Sequence, residues 1–153
     1  MNTERVNTER VNTTIRRATS ADSDPLFALV ESFATSFNPV RTAFDHSFEQ
    51  LLRDDSVLIN VAVLMDEVAG YCLAFDHYAL YANGRVTWVE EITVRQDLRG
   101  KGIGRELMQS VHQWAVSRES RLIGLATRRA APFYKAIGYE ESAAFFRKMI
   151  KSQ

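Results

Sequence analysis

Apolar residues recur along this chain with two alternating spacings, and the switches between them predict a layered α/β fold. Residues 14–18 read as a first strand. Asp24 as an N-cap, with Pro25 after it, opens a helix over about 24–35 whose Leu26, Leu29, Val30 and Phe33 share one face. A second short helix, about 45–53, gathers Phe44, Phe48, Leu51 and Leu52 on its apolar side. Residues 57–65 and 68–77 then read as a hairpin turning at Asp66-Glu67. A segment with Asn83-Gly84 as its turn leads into a strand over 86–94. Helical spacing returns over 102–117, with Ile103, Leu107, Val111, Trp114 and Ala115 in register. A buried strand over 122–126, a short helix over 130–137 closed by Gly138, and a last strand over 142–150 complete the prediction.

Composition narrows the class. With 153 residues, 46% hydrophobic and 25% charged, the chain fits one sizeable core and is too short for two ordinary domains. Nineteen basic residues balance nineteen acidic ones, which argues against nucleic acid or an anionic membrane as the main partner. Cys72 is the only cysteine and lies in an apolar strand, so a buried structural thiol is expected. His46, His77 and His112 show no spacing suited to metal ligands, and no metal is expected. The longest apolar run is broken by Asn60 and is too short to span a bilayer, and the N-terminus lacks the apolar core of a signal peptide; a cytoplasmic location is expected. Asn-Thr-Glu-Arg-Val occurs at 2–6 and again at 7–11, and this polar repeat reads as a flexible leader over 1–13 ahead of a single domain over 14–153.

The chemistry is concentrated at residues 94–104, Val-Arg-Gln-Asp-Leu-Arg-Gly-Lys-Gly-Ile-Gly. They join the end of an apolar strand to a glycine-rich turn and the start of an amphipathic helix. Such a junction aims several unpaired backbone N–H groups at one point, and the helix dipole adds about half a positive charge there. Gly100, Gly102 and Gly104 allow close approach of a bulky phosphate, while Arg95, Arg99, Lys101 and Arg105 bring full positive charges. Ile103-Gly104-Arg105 does not supply the Gly-Lys-Ser/Thr ending of a nucleotide P-loop. A dinucleotide fingerprint opens the first βαβ unit and carries an acidic residue about twenty positions on, whereas these glycines lie two thirds of the way along the chain and position 120 is a serine, with Glu119 beside it at the end of a helix.

A second segment, Ala130-Ala131-Pro132-Phe133-Tyr134-Lys135-Ala136-Ile137-Gly138-Tyr139, follows one helix and one strand later. The order Arg99, Gly102, Gly104 in an Arg/Gln-x-x-Gly-x-Gly arrangement, then this Phe-Tyr helix, resembles the GNAT superfamily of acyl-CoA-dependent N-acyltransferases over nearly all of the chain from Thr14 onward. The resemblance implies a mixed, mostly antiparallel central sheet of about six to seven strands flanked by about four helices. It implies acetyl-CoA as co-substrate, with the pyrophosphate at Arg99, Gly100, Lys101, Gly102, Ile103, Gly104 and Arg105. By the same resemblance the pantetheine arm lies along Ile92, Thr93 and Val94 and beside Phe133.

For the base the resemblance points to a carboxylate on the strand before the cradle, and the chain has Glu90 and Glu91. Alternation by two puts them on opposite faces. Glu90 shares a face with Trp88 and Ile92 and is the first choice; Glu91 replaces it if a bulge shifts the register. Tyr134 resembles the tyrosine that protonates the leaving thiolate in many members. One departure is Thr127, where the family often has an asparagine that contacts the cofactor. Arg128 and Arg129 are open to either an outer phosphate or solvent.

Direct transfer to an amine follows, without metal or covalent intermediate. The acceptor is expected against the first two helices and the loop over 78–85, with Phe37, Phe44, Tyr78, Tyr81 and Trp88 as walls and Asp76 and the glutamates favouring a cation. A small amine or amino-acid derivative is the first reading, and a peptide or protein amine or a non-catalytic acyl-CoA sensor are the alternatives. A homodimer is compatible with the resemblance.

Overall fold

The computed structural model describes residues 11–150, so most of the expected leader lies outside the described residues. One five-stranded sheet runs in chain order: β1 (Thr14–Arg17), β2 (Val57–Leu64), β3 (Glu67–Ala79), β4 (Gly84–Val94) and β5 (Ser120–Leu125). The first three junctions are antiparallel, and β4 pairs with β5 in parallel. A parallel junction needs a crossover, which α3 (Ile103–Ser117) supplies. The other helices are α1 (Ser23–Phe33), α2 (Arg41–Leu52) and α4 (Ala131–Ala136).

The apolar pattern explains the layering. The β2 run is buried on both sides: Val57, Ile59 and Val61 pack with Leu26, Leu29 and Phe48 of α1 and α2, and Leu58 and Ala62 pack with Ile103, Leu107, Met108 and Val111 of α3. Each fully buried leucine or isoleucine contributes roughly 1.5–3 kcal/mol. Asn60, the polar break in that run, donates from Nδ2 to Ser110 Oγ of α3 at 3.0 Å, so its burial leaves no unmet donor there. Cys72 is buried in the core, and burial pushes its thiol up to about 11, consistent with a structural thiol.

Four expectations change in detail. Helix α1 begins at Ser23, so Asp22 and not Asp24 holds the N-cap position. The β2–β3 turn is Met65-Asp66, both at positive φ (47° and 64°), one residue earlier than predicted. Helix α2 begins at Arg41, whose Nε pairs with Asp45 Oδ1 at 2.9 Å one turn on. The predicted strand over 142–150 does not form: residues 140–150 are exposed and without regular structure, and the described sheet has five strands rather than six or seven. The apolar residues there come as adjacent pairs, Ala143-Ala144, Phe145-Phe146 and Met149-Ile150. Doubling of this kind gives no single apolar face for a strand to bury.

Candidate active site

The β4–α3 junction has the geometry of an anion cradle. After Val94 the chain makes one 3-10 turn (Gln96–Leu98), passes Gly100 at φ 76° and Gly102 at φ 93°, and enters α3 at Ile103. Both glycines occupy left-handed backbone that costs an L side chain roughly 1–2 kcal/mol. The bond from Glu106 N–H to Gly102 O, 3.1 Å, closes the first turn. The N–H groups of Ile103, Gly104 and Arg105 are therefore the orphan donors of the helix start. Around them Lys101 and Arg105 form no ion pair among the described residues, and Arg99 donates from Nε to Val94 O at 3.0 Å. Arg95 is different from expectation: its guanidinium is held by Glu67 (3.1 Å) and Asp97 (2.8 Å), so its charge is already compensated. At Gly104 a Cβ would stand 3.4 Å from Phe133 Cζ, which places the Phe133 ring beside the cradle.

Upstream of the cradle, β4 is a strand with one side open. Its pairing with β5 ends at Val89↔Leu125, so the edge of residues 90–94 facing away from β3 has no strand partner among the described residues. Ile92, Thr93 and Val94 lie on that open stretch. On the other side the approach to β3 is tight, because a Cβ at Gly70 would come within 2.7 Å of Thr93 O. An extended ligand bearing amides fits such an edge as an added strand.

A bulge sits in this same stretch. Leu73 pairs with Glu91 but Ala74 pairs with Val89, so Glu90 is the extra residue. Simple alternation across Trp88, Glu90 and Ile92 fails here, since a bulge inserts one residue and resets the faces. Trp88 pairs with Phe75 and Glu91 with Leu73, both on the α1/α2 side, whereas Ile92 packs with the α3-side core. Glu91 is half-buried and accepts from the Tyr71 hydroxyl at 2.8 Å. Burial raises its carboxyl above the ordinary glutamate range, and the neighbouring Glu90 charge adds to this, while the Tyr71 bond opposes it. Glu90 is exposed and accepts from Trp88 Nε1 at 3.0 Å.

Tyr134, on α4, is buried against the α3-side core, with Phe133 at 5.0 Å and Tyr139 at 5.9 Å between ring centroids. Burial pushes its phenol up to about 12. Thr127 accepts the Ala130 N–H on Oγ1 at 3.0 Å, a local bond that ties the start of α4 to the end of β5. Arg128 and Arg129 are exposed. On the acceptor side Phe44, half-buried and stacked with Phe48 at 5.5 Å, lines an open cavity together with Phe37, Tyr81, Trp88, Glu90 and Glu91. Tyr78 lies outside that cavity under the Arg85 guanidinium, 4.3 Å from its ring centroid. Asp76 is no receptor for a cation: its side chain is fully buried between Arg85 (2.9 Å) and Arg118 (2.5 Å). Tyr71, the partner of Glu91, went unnoticed in the sequence because in a strand run of apolar residues it reads as core.

A sequence model of the Acetyltransferase (GNAT) family matches residues 25–139, which include β4, the cradle and α4. The chain belongs to this family. A relative with a known activity, the aminoalkylphosphonate N-acetyltransferase of Salmonella typhimurium, is 27% identical over 140 residues, covering 89% of this chain and 90% of that protein. The thialysine N-epsilon-acetyltransferase of Bos taurus is 32% identical over 78 residues, 48% of this chain and 45% of that protein. Among solved structures, glucosamine-6-phosphate N-acetyltransferase from Arabidopsis thaliana has the same fold, with a TM-score of 0.81, 18% identity, and coverage of 92% of this chain and 99% of that one. This GNAT is an acyl-CoA-dependent N-acetyltransferase, and acetyl-CoA is the co-substrate its family uses. The chemistry of the cradle suits a diphosphate such as coenzyme A carries: two left-handed glycines and orphan helix-start donors, with Lys101 and Arg105 outside any ion pair among the described residues. No helix among the described residues is long and apolar enough to cross a membrane.

Proposed function

We propose that this GNAT acetylates the primary amine of a small molecule by direct attack, with Glu91 as the residue that takes the ammonium proton. The observation that carries the reading is the bulge at Glu90, which sets a half-buried carboxylate on the α1/α2 side of β4 next to the strand's open edge. Only a neutral amine is a nucleophile. An ordinary glutamate and an alkyl ammonium differ by about six pKa units, so an unassisted transfer costs roughly 8 kcal/mol. Burial raises the carboxyl of Glu91 and lowers the pKa of an ammonium brought beside it, narrowing the gap from both sides. The Tyr71 hydroxyl fixes the carboxylate. Exposed Glu90, held by Trp88, draws the cation in.

Acetyl-CoA supplies the activated acyl group, and this chain's part is to hold it. Arg99, Gly100, Lys101, Gly102, Ile103, Gly104 and Arg105 receive the diphosphate; the free edge at Ile92, Thr93 and Val94 and the Phe133 ring receive the arm. Tyr134 is the group available to the departing sulfur. With its phenol near 12 and a thiol at about 8.5, complete proton transfer is uphill by about 5 kcal/mol. Tyr134 therefore acts mainly by hydrogen bonding to the thiolate, and Tyr134→Phe is expected to lower kcat by about tenfold without abolishing turnover, measured in steady state.

The relative that this chain matches almost end to end is named for a small amine, the aminoalkylphosphonates, and this supports a small-molecule acceptor over a protein one. Coenzyme A release from acetyl-CoA, followed across a panel of small amines and short peptides, tests the reading. Release that depends on small amines is expected; release with peptides alone, or tight acetyl-CoA binding with no acceptor-dependent release, contradicts it.

A further inference from the structure

The C-terminal segment, although without regular structure, is anchored at two points over the acceptor cavity. Phe145 stacks on Trp88 with ring centroids 6.4 Å apart and planes at 21°. Two residues on, Arg147 donates from Nη1 to Ser36 Oγ, 2.6 Å, in the connection between α1 and α2. Ser36, Phe37, Trp88, Glu90, Phe145 and Arg147 all line the same cavity. Most arginines of this protein that make side-chain bonds meet a carboxylate, as Arg16, Arg41, Arg85 and Arg118 do. Arg147 instead meets a neutral hydroxyl, and among the described residues no carboxylate lies within ion-pair distance of it.

The cavity's lining carries both acidic and basic side chains, with Glu90 and Glu91 among the first and Arg147 among the second. Glu90 and Glu91 line it, Trp88 bonds Glu90 at 3.0 Å, and Phe145, two residues before Arg147, stacks on Trp88. Two residues of chain span at most about 7 Å, which keeps the Arg147 backbone close to the Phe145 ring that stacks on Trp88. A guanidinium fork with free N–H donors beside a serine hydroxyl suits an oxyanion, whether carboxylate, phosphate or phosphonate.

We infer that Arg147 and Ser36 form an anion subsite, and that the acceptor is an aliphatic amine carrying an oxyanion a few bonds from its nitrogen. This inference rests on the acetyltransfer reading above and specifies its substrate class. A plain alkylamine of equal length leaves Arg147 unanswered, and a polyamine places a second cation against it.

The test uses the full chain with 2-aminoethylphosphonate, β-alanine and propylamine as acceptors, and follows kcat/KM together with calorimetric binding of each acceptor in the presence of coenzyme A. The wild-type protein is expected to favour one or both oxyanion-bearing amines over propylamine, and the two arms tell phosphonate from carboxylate. Arg147→Gln is expected to reduce kcat/KM and affinity for the favoured acceptor by about tenfold or more, chiefly through KM, while propylamine changes by less than about twofold. Arg147→Lys should recover part of the loss, and Ser36→Ala should give a smaller loss of the same selectivity. Arg147 is exposed, and its replacement is not expected to affect folding. Equal losses for charged and uncharged acceptors, no loss at all, or a wild-type preference for propylamine overturns the subsite while leaving acetyltransfer standing. Absence of transfer to every amine overturns both.

Discussion

Glu91→Gln is expected to lower kcat/KM by about 10²- to 10⁴-fold, the range a positioned general base supplies, while the affinity for acetyl-CoA stays within about twofold. Glu90→Gln, at the exposed member of the pair, is expected to cost less than about tenfold and to act mainly on KM for a cationic amine. The ordering follows from burial: Glu91 is half-buried with Tyr71 fixing it, and Glu90 faces solvent. The pH dependence separates the two variants further. The carboxyl of Glu91 lies above the ordinary glutamate range, and the base must be ionised, so the acid limb of kcat/KM should lie above about pH 4.5 and disappear in Glu91→Gln. Stability moves the opposite way. Folding raises this pKa, so the unfolded chain ionises first and the wild type loses stability as pH rises through that window. Glu91→Gln is therefore expected to be the more stable protein at pH 7, with the advantage shrinking toward pH 4, read from urea midpoints. A Glu90→Gln variant that loses more activity than Glu91→Gln would reverse the assignment.

Gly102→Val is expected to weaken coenzyme A binding by about 30-fold or more, with pantetheine, which lacks the diphosphate, bound as before. At φ 93° Gly102 is in left-handed backbone, and a β-branched residue is a severe misfit there. No heavy atom lies within 4 Å of the Cβ position, so the effect acts through the backbone and not through a side-chain clash. To relieve strain of roughly 1–2 kcal/mol the turn must change φ, and the N–H groups of Ile103 and Gly104 turn with it. Gly102→Ala should give an intermediate loss. Calorimetry with both ligands checks this, and an equal loss for pantetheine would place the damage elsewhere than in the phosphate contacts.

Much of the arrangement was legible in the chain because it depends on local rules. The glycine spacing at 100, 102 and 104 marks the cradle, and the helical recurrence of Ile103, Leu107, Val111 and Ala115 marks the helix that supports it. Both are short-range properties of backbone and burial. What the sequence hid depends on pairing across strands. The bulge at Glu90 exists only in the register of β4 against β3, and no feature of Trp88 to Ile92 taken alone tells which residue is extra. The Tyr71 contact to Glu91 is likewise a cross-strand one, formed between positions twenty residues apart. Arg95 and Asp76 misled for the same reason, since a charge reads as available until its partners from other elements are known. The final segment is rich in apolar residues, but they come as adjacent pairs. Phe145 and Phe146 are neighbours in sequence and cannot both face one layer of a strand.

Backbone amide shifts on titration with coenzyme A test the central claim most directly, since they report which main-chain N–H groups meet the ligand without any substitution. The cradle assignment predicts the largest downfield movements at Gly100, Gly102, Ile103, Gly104 and Arg105, with smaller ones at Ile92, Thr93 and Val94. Large movements confined to another part of the fold, with those of residues 100–105 unchanged, would contradict it.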